Sequence, residues 1–259
     1  MSRIVIPRRK FLRLGALGLG AAALGFSGRP ADALTFEELI ASAQGLTYRA
    51  QRALGGRHAM AREFSAADKS PDFKVNGTER PDTPEYQALL ADQFASWKLR
   101  VDGLVVKPLD LSLADLRALP QRAQITRHDC VEGWSAIGEW QGPQLSEILK
   151  RATPLPAARF VVFHCADFLE RAADGTGQYY ESIDLIDAFH PQTILAHSLN
   201  GAPLSVGHGA PVRLRVERQL GYKHAKYVMR VELVDRLDNI GRGKGGYWPD
   251  RGYEWYAGI

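Results

Sequence analysis

Short stretches of alternating apolar and polar residues, mixed irregularly with short helical patterns, most constrain how this chain can fold. Residues 211–217 alternate cleanly, and residues 227–234 do so again, which is typical of strands with one buried face. These stretches do not belong to a regular succession of strand, helix and strand, which a doubly wound sheet would require. The pattern therefore predicts an α+β fold with mixed β-sheets and short helices.

The other predicted elements are also short. Thr83 and Ser112 are suitable N-caps for two of the helices, and Asp102-Gly103 predicts the turn of a hairpin. The predicted helices are 35–54, 83–95, 113–119, 143–151 and 182–189. The further predicted strands are 97–102, 104–106, 159–164 and 193–199, and residues 173–180 are predicted to form a loop.

The N-terminus has the features of an export signal. Arg8 and Arg9 form a twin-arginine pair, a modestly apolar run follows from Leu14 to Phe26, and Ala31-Asp32-Ala33 has the small-x-small pattern of a cleavage site. A membrane anchor is the alternative, but the run is shorter than the roughly 20 residues of a spanning helix and contains several glycines. We therefore predict a twin-arginine signal peptide at 1–33, a single domain at 34–259 and a periplasmic protein. Because this route carries folded proteins, it also suggests a prosthetic group.

The charge balance changes when this segment is set aside. Six of the 33 lysines and arginines, but only one of the 29 acidic residues, lie in residues 1–33, which leaves 27 basic and 28 acidic residues. A nearly neutral domain gives no electrostatic basis for binding nucleic acid. No other segment approaches transmembrane length, so the sequence predicts a soluble domain that does not span the membrane.

One of the chain's two cysteines lies in an unusually polar stretch, residues 125–142. Arg127, His128 and Asp129 precede Cys130, and Glu132 follows it. The preceding alternation places Cys130 at a strand end or in a loop, where catalytic groups are often mounted. The thiol could be buried filler, half of a disulfide with Cys165, a nucleophile or a metal ligand.

A second set of residues suggests a binding site for an anion. His208 and Arg213 follow glycines, Lys223 follows Gly221-Tyr222, and Arg215 is the same-face neighbour of Arg213. Glycines let backbone N–H groups approach a ligand closely, and these side chains can contact phosphate oxygens. A solvated sheet face with a glycine-rich turn is the alternative. One cysteine beside such a site is better suited to a metal held by a phosphorylated organic cofactor than to a four-ligand zinc site.

Three blocks of sequence carry a resemblance to a known family. They are Cys130-Val-Glu-Gly-Trp134 with Trp140-Gln-Gly142 and Leu145, then Asn200-Gly-Ala-Pro-Leu204 through His208-Gly-Ala-Pro-Val-Arg213, then Gly221-Tyr222-Lys223. In this order and spacing, residues 70–259 resemble the molybdenum-cofactor domain of the sulfite oxidase family. The resemblance implies the α+β fold of that domain and a molybdenum-molybdopterin cofactor, in which a pterin dithiolene holds the metal.

The resemblance also implies roles for individual residues. Cys130 occupies the position of the molybdenum-ligating cysteine, and Tyr179 lies near the position of the active-site tyrosine. Cys165 falls where sulfoxide-reducing members have a cofactor-contacting threonine, and Arg127 is a candidate contact for an anionic substrate. The residues implied to bind the cofactor are Asp72, Phe73, Cys130, Cys165, His208, Arg213, Gly221, Tyr222 and Lys223.

The substrate is indicated by the residues after the cysteine. Sulfite-oxidising members have an arginine there, whereas residues 131–135 contain no cation and Glu132 would repel sulfite. The Cys-Val-Glu-x-Trp sequence is similar to members that reduce protein methionine sulfoxide, so we predict reduction of a sulfoxide. Oxidation of sulfite or a related compound is the second hypothesis, and a non-catalytic periplasmic binding protein with a disulfide is the third. No cytochrome motif accompanies the domain, so electrons are expected from a separate partner, a membrane haem protein or a cytochrome.

Overall fold

A mixed five-stranded sheet forms the centre of the fold, and two smaller sheets accompany it. The structure is a computed structural model that describes residues 36–172 and 177–259. The helices are α1 (Phe36–Gly55), α2 (Pro84–Ala91), α3 (Leu113–Ala118), α4 (Leu145–Ala152) and α5 (Leu185–Ala188). The strands are β1 (Lys98–Gly103), β2 (Leu109–Ser112), β3 (Gln121–Cys130), β4 (Trp134–Pro143), β5 (Phe160–Phe168), β6 (Gln178–Asp184), β7 (Thr193–Ala196), β8 (Ser198–Leu199), β9 (Ala202–Pro203), β10 (Arg213–Val216) and β11 (Val228–Val234).

The sheets combine strands that are distant in sequence. The central sheet has the order β2-β1-β11-β5-β6, the second has the order β3-β4-β8-β9, and β10 pairs with β7. β1 and β11 run parallel, whereas the other pairs run antiparallel. Mixed sheets with short helices are the α+β class that the sequence predicts.

Helix α4 shows why these segments form a core. Leu145, Ile148, Leu149 and Ala152 recur at helical spacing, and all four are fully buried. They pack in one cluster with apolar residues of β1, β5 and β11. Burying side chains of this size contributes roughly 1.5–3 kcal/mol each for the larger ones, which is sufficient to fix this short helix against the sheets.

The β3–β4 hairpin positions Cys130. The two ten-residue strands pair in continuous register from Gln121 with Pro143 to Cys130 with Trp134. One face of β3 is buried although it is polar, since Gln124, Thr126 and His128 are each at most 2% exposed. A buried polar face needs hydrogen-bond partners, and β10 supplies them, as described below.

The structure corrects three of the predicted elements. The predicted loop at 173–180 ends earlier than expected, because β6 begins at Gln178. Residues 104–106 are not the second strand of the predicted hairpin, because β1 pairs instead with β2. Ser182 does not begin a helix, since it lies within β6 and its hydroxyl donates to the Gly245 carbonyl. Asp184 caps α5 instead, accepting from the Asp187 N–H at 2.8 Å. The predicted caps Thr83 and Ser112 are confirmed.

The chain divides into two units, residues 1–45 and 46–259. Of the first, the structure describes Phe36–Gly45, which belongs to α1; the predicted signal peptide at 1–33 lies outside the described residues. Within residues 36–172 and 177–259, no helix has both the length and the apolar character needed to cross a membrane.

Candidate active site

Cys130 is the last residue of β3, at the point where the hairpin turns. Gly133 in this turn has a φ of +87°, a conformation that favours glycine, and its N–H donates to the Cys130 carbonyl at 3.1 Å. Because alternate residues of a strand share a face, Cys130 continues the buried face of Thr126 and His128. The half-buried thiol thus lies at the edge of a buried polar face.

A cavity of about 200 Å³ opens beside Cys130. It is formed by the hairpin turn, the ends of β5 and β6, the loop before β11 and the C-terminal tail. Its lining residues are Asn76, Gly77, Thr78, Cys130, Val131, Glu132, Asp167, Leu169, Tyr179, Tyr222, His224, Lys226, Trp248 and Tyr253. Of the residues predicted from the sequence, the structure brings Cys130, Tyr179 and Tyr222 together here.

His128 presents a buried N–H without an acceptor. Nη1 of Arg215 donates to Nδ1 of His128 at 2.9 Å, which places the ring proton on Nε2. No described group is bonded to that Nε2 atom. Burial lowers the pKa of His128 well below its usual value, and the nearby Arg215 lowers it further. The ring is therefore neutral, and its Nε2–H faces Gly221 without a described acceptor.

Arg213 is a buried cation whose described bonds go to carbonyl groups. Its Nη1 donates to the His208 carbonyl at 3.1 Å and its Nη2 to the His224 carbonyl at 3.4 Å, while Nε has no described partner. Burial lowers the pKa of Arg213 to about 9, with a smaller contribution from Arg215. A buried charge is costly unless it is paired, so this guanidinium requires an anion.

Arg215 contrasts with its same-face neighbour. It makes a fully buried ion pair with Glu217, with Nη2 2.6 Å from Oε2 and Nε donating at 2.9 Å. The two guanidinium carbons lie over the Trp140 ring, that of Arg213 at 4.9 Å and that of Arg215 at 4.4 Å from its centroid. The prediction that the two arginines line one surface is therefore confirmed, but only Arg215 has its own carboxylate.

Lys226 and His224 extend the group formed by Arg213, Arg215 and His128. These five side chains are called the basic cluster. Lys226 donates to the carbonyls of Thr78 at 2.5 Å and Gly207 at 2.8 Å, and burial lowers its pKa to about 7. His224 donates from Nε2 to the Gln219 carbonyl at 3.0 Å, and its buried Nδ1 has no described partner. Burial lowers the pKa of His224 well below its usual value.

These groups fit an anionic, phosphate-bearing cofactor. The buried guanidinium of Arg213, the Nε2–H of His128 and the ammonium of Lys226 can stabilise negative charge through charge-assisted and neutral hydrogen bonds. Cys130 could supply a soft sulfur ligand beside them. The arrangement therefore fits a metal that is held by one thiolate and by an anionic organic group.

His208 and Phe73 are in direct contact beside the basic cluster. His208 donates from Nε2 to the Phe73 carbonyl at 2.8 Å, and its Nδ1 lies 2.7 Å from the Ser205 hydroxyl. The Phe73 ring packs within about 6 Å of the rings of His128, Trp134, Trp140 and His208. Phe73 thus lies under the buried face of β3, whereas the neighbouring Asp72 is exposed.

The Gly221–Lys223 turn packs directly on the β3 face. The hydroxyl of Tyr179 donates to the Tyr222 carbonyl, and the hydroxyl of Tyr222 donates to the Glu254 carbonyl at 2.7 Å. Lys223 is fully buried in an ion pair with Glu181, with 2.5 Å between Nζ and Oε2. The lysine side chain therefore fixes this turn to β6 and does not line the cavity.

Gly221 leaves no room for a side chain. A Cβ atom at this position would lie 2.5 Å from Nε2 of His128 and 3.0 Å from the Asp129 carbonyl oxygen. We expect Gly221→Ala to lower the free energy of unfolding by about 1–3 kcal/mol, because the added carbon overpacks a buried contact. Urea unfolding measures this difference. Gly45→Ala in α1, where no atom lies within 4 Å of the added carbon, is the control and should not destabilise; equal effects would contradict the packing argument.

Arg127 and Cys165 are not brought to the cavity. Arg127 is three residues from Cys130 on a strand, so it points to the opposite face, where its Nε donates to Asp129 at 2.9 Å. Its side chain is 56% exposed, and the prediction that it contacts the substrate therefore lacks geometric support. The Cys165 thiol is buried in the apolar core, where burial raises its pKa well above the usual value. Both cysteines are free thiols.

Several lining residues escaped the assignment from sequence. Thr78 and Lys226 come from loops 148 residues apart that meet at one hydrogen bond. Asp167 follows the apolar part of β5, and its position in a polar His-Cys-Ala-Asp sequence was its only signal. Trp248 and Tyr253 lie in an aromatic tail without periodicity, whose sequence favours packing over the core and leaves lining of the site entrance as the alternative; both residues line the cavity. No local pattern indicates that these segments converge.

Comparison with known proteins decides the family. Residues 86–239 match the family described as the oxidoreductase molybdopterin-binding domain, which is more than half of the chain. The chain belongs to this family. Molybdopterin with molybdenum is therefore the cofactor of this oxidoreductase domain, in agreement with the basic cluster and the cysteine described above.

Individual relatives of this molybdopterin-binding domain have related names. A protein-methionine-sulfoxide reductase subunit, YedZ1, of Azospira oryzae is 42% identical over 63% of this chain and 56% of the relative. Catalytic subunits of protein-methionine-sulfoxide reductase from Ralstonia nicotianae and Xanthomonas campestris are each 34% identical over 64% of this chain, and over 51% and 53% of the relatives. The matches thus span about half the length of these relatives.

A solved structure agrees on the fold of this molybdopterin-binding domain. The sulfane dehydrogenase SoxCD from Paracoccus pantotrophus matches 83% of this chain and 57% of its own, with a TM-score of 0.50 and 22% identity. This likeness concerns the fold, which is the sulfite-oxidase type that the sequence predicts.

Proposed function

We propose that this protein transfers oxygen atoms at a molybdenum centre ligated by Cys130, and that it reduces a sulfoxide-type substrate. Both relatives named as catalytic subunits of protein-methionine-sulfoxide reductase support this direction. In its bound state the cofactor supplies a two-electron redox centre for oxygen-atom transfer. The chain's own residues hold it, exclude water around it and shape the substrate cavity.

The observation that carries the proposal is the composition of the cavity wall. Val131, Leu169, Trp248 and Tyr253 give it apolar and aromatic surface, and no arginine is among its described lining residues. Glu132 adds a carboxylate beside the cysteine. Lys226 is the cation among the described lining residues, and its described hydrogen bonds go to the Thr78 and Gly207 carbonyls. Such a wall suits a neutral sulfoxide carried on an apolar chain better than the doubly charged sulfite ion, which needs several cationic partners.

Several residues are proposed to hold the cofactor. Arg213 and His208 are proposed to bind its phosphate-bearing end, because Arg213 is a buried cation without a described carboxylate partner. The Gly221–Lys223 turn contributes backbone, since its lysine side chain is already paired with Glu181. Tyr179 is proposed to position this turn and to close the cavity wall, because its hydroxyl is bonded to the Tyr222 carbonyl.

The setting of the reaction is also part of the proposal. The twin-arginine pair supports export of residues 34–259 to the periplasm as one folded domain after cofactor insertion. Reduction of a sulfoxide consumes two electrons, so a separate donor is required. A membrane haem protein or a periplasmic cytochrome is the donor that we propose.

We expect the purified, cofactor-loaded protein to oxidise a reduced viologen dye when methionine sulfoxide is added, and to reduce cytochrome c poorly or not at all when sulfite is added. The apolar cavity wall and the absence of a lining arginine are the physical reasons. The two assays are compared at equal molybdenum content. If only the sulfite assay responds, the proposed direction is wrong, and if molybdenum does not copurify with the protein, the assignment of an enzyme is wrong.

A further inference from the structure

Asp167 is a buried carboxyl group in the wall of the proposed substrate cavity. It lies near the end of β5, its residue is 3% exposed, and it lines the same cavity as Cys130. Its Oδ1 atom makes no hydrogen bond of ordinary geometry to a described residue, although the Thr78 side chain is near enough to act on the carboxyl group. Unpaired buried oxygens of this kind are costly, so the position requires either a proton on the carboxyl group or a ligand beside it.

The surroundings of Asp167 bring the titration of its carboxyl group close to neutrality. Burial raises the pKa of Asp167 to about 6, and the opposing influences of Thr78 and Lys226 are smaller. The titratable groups that interact with it are Tyr86 of α2, Cys165 of β5, Tyr179 of β6, and Lys226 and Tyr227 before β11. Lys226 is the cation among them, and its charge resists a further rise in the pKa of the carboxyl group.

Other lining groups are poorly suited to give up a proton. Burial raises the pKa of Tyr179 well above its usual value and raises that of Tyr222 as well, and both hydroxyls are bonded to carbonyls. His224 is held neutral by burial. Lys226 uses two of its protons on the carbonyls of Thr78 and Gly207. Asp167 is the acid among the described lining residues with such an unpaired oxygen; the other unpaired oxygen in the wall is the Thr78 hydroxyl, which is not an acid.

We propose that Asp167 is the proton donor to the oxygen atom that leaves the substrate. The inference rests on the proposed sulfoxide reduction, in which the sulfur–oxygen bond breaks, the sulfur gains two electrons and the oxygen takes two protons to leave as water. The electrons come from the haem-protein donor. Asp167 gives one proton, regains one from solvent through the cavity mouth and gives the second. An efficient general acid has a pKa near the working pH, which Asp167 meets.

Asp167→Asn tests this role because it keeps the shape and removes the exchangeable proton. We expect kcat for methionine sulfoxide to fall by roughly 100-fold or more at unchanged molybdenum and pterin content. In the wild type, activity should decline as the pH rises through the pKa of Asp167, since the donor is then ionised, and this decline should disappear in the variant. Asp110→Asn is the matched control, because Asp110 is an exposed aspartate that forms an ion pair with Arg100. This variant should keep the wild-type pH profile.

Infrared difference spectroscopy of the loaded enzyme, titrated without substrate, gives a readout independent of turnover. A protonated-carboxyl band should vanish with rising pH in the wild type, be absent in Asp167→Asn, and vanish at higher pH in Lys226→Gln, because loss of a neighbouring cation raises the pKa of an acid. Unchanged turnover, an unchanged band, or loss of cofactor in Asp167→Asn would overturn the proposal. Absence of sulfoxide reduction in the wild type would instead overturn the proposed function, and the infrared titration would still report on Asp167.

Discussion

Cys130→Ser is expected to leave a folded protein with no measurable turnover. Cys130 is half-buried at the end of β3 and its side chain lines the cavity, so a change of one atom does not disturb the hairpin. A serine hydroxyl is a harder donor than a thiol and is far less readily deprotonated, and soft metal ligation depends on the thiolate. The loss should therefore fall on the metal site and not on the fold.

Three measurements separate these effects. Molybdenum X-ray absorption should show one sulfur neighbour fewer, dye-linked turnover should vanish, and the free energy of unfolding should change by less than about 1 kcal/mol. Ser135→Ala is the matched control, because Ser135 lies on β4 in the same hairpin and bonds Asp129 on the face away from Cys130. Full turnover with an unchanged sulfur count in Cys130→Ser would contradict the assignment of this ligand.

Local patterns predicted the parts of the site that a single segment determines. Alternation in β3 was sufficient to place Cys130 at a strand end, and alternation in β10 was sufficient to place Arg213 and Arg215 on one face. The same alternation separates Arg127 from the site. Arg127 and Cys130 are an odd number of residues apart on one strand, so their side chains point to opposite faces.

The remaining parts depend on contacts between distant segments. The cavity needs Thr78, Asp167 and Lys226 to meet, and nothing local to any of them indicates the other two. The start of α5 was misplaced for a related reason. Ser182 resembles an N-cap in sequence, but pairing of β6 with β5 holds it in a strand, and Asp184 takes the cap. Tertiary pairing therefore decided between two residues that are both good caps.

Arg213→Met and Arg215→Met should have opposite effects on the cofactor-free protein, although the two arginines share a strand face and the Trp140 ring. Arg213 has no carboxylate partner among the described residues, so replacing it with an apolar side chain of similar length removes an uncompensated buried charge. Removing an unpaired buried charge also removes its desolvation cost, so we expect this change to be neutral or stabilising. Arg215→Met leaves the buried Glu217 without its cation, with Gln124 still donating to it at 2.9 Å, and breaking a buried ion pair in this way should cost about 3–5 kcal/mol.

In the cofactor-loaded protein, Arg213→Met should be unfavourable, because it weakens the binding of the cofactor. Loss of a single charge-assisted hydrogen bond costs roughly 1.5–3 kcal/mol, which corresponds to roughly a 10- to 150-fold weaker hold on an anion. Urea unfolding of protein from a host that cannot make molybdopterin measures the first effect, and pterin and molybdenum content after purification from a competent host measure the second. Arg213→Met should be at least as stable as wild type without cofactor, yet depleted of cofactor when loaded. Normal cofactor content, or a destabilised cofactor-free protein, would show that Arg213 is a structural residue and not the anchor of an anion.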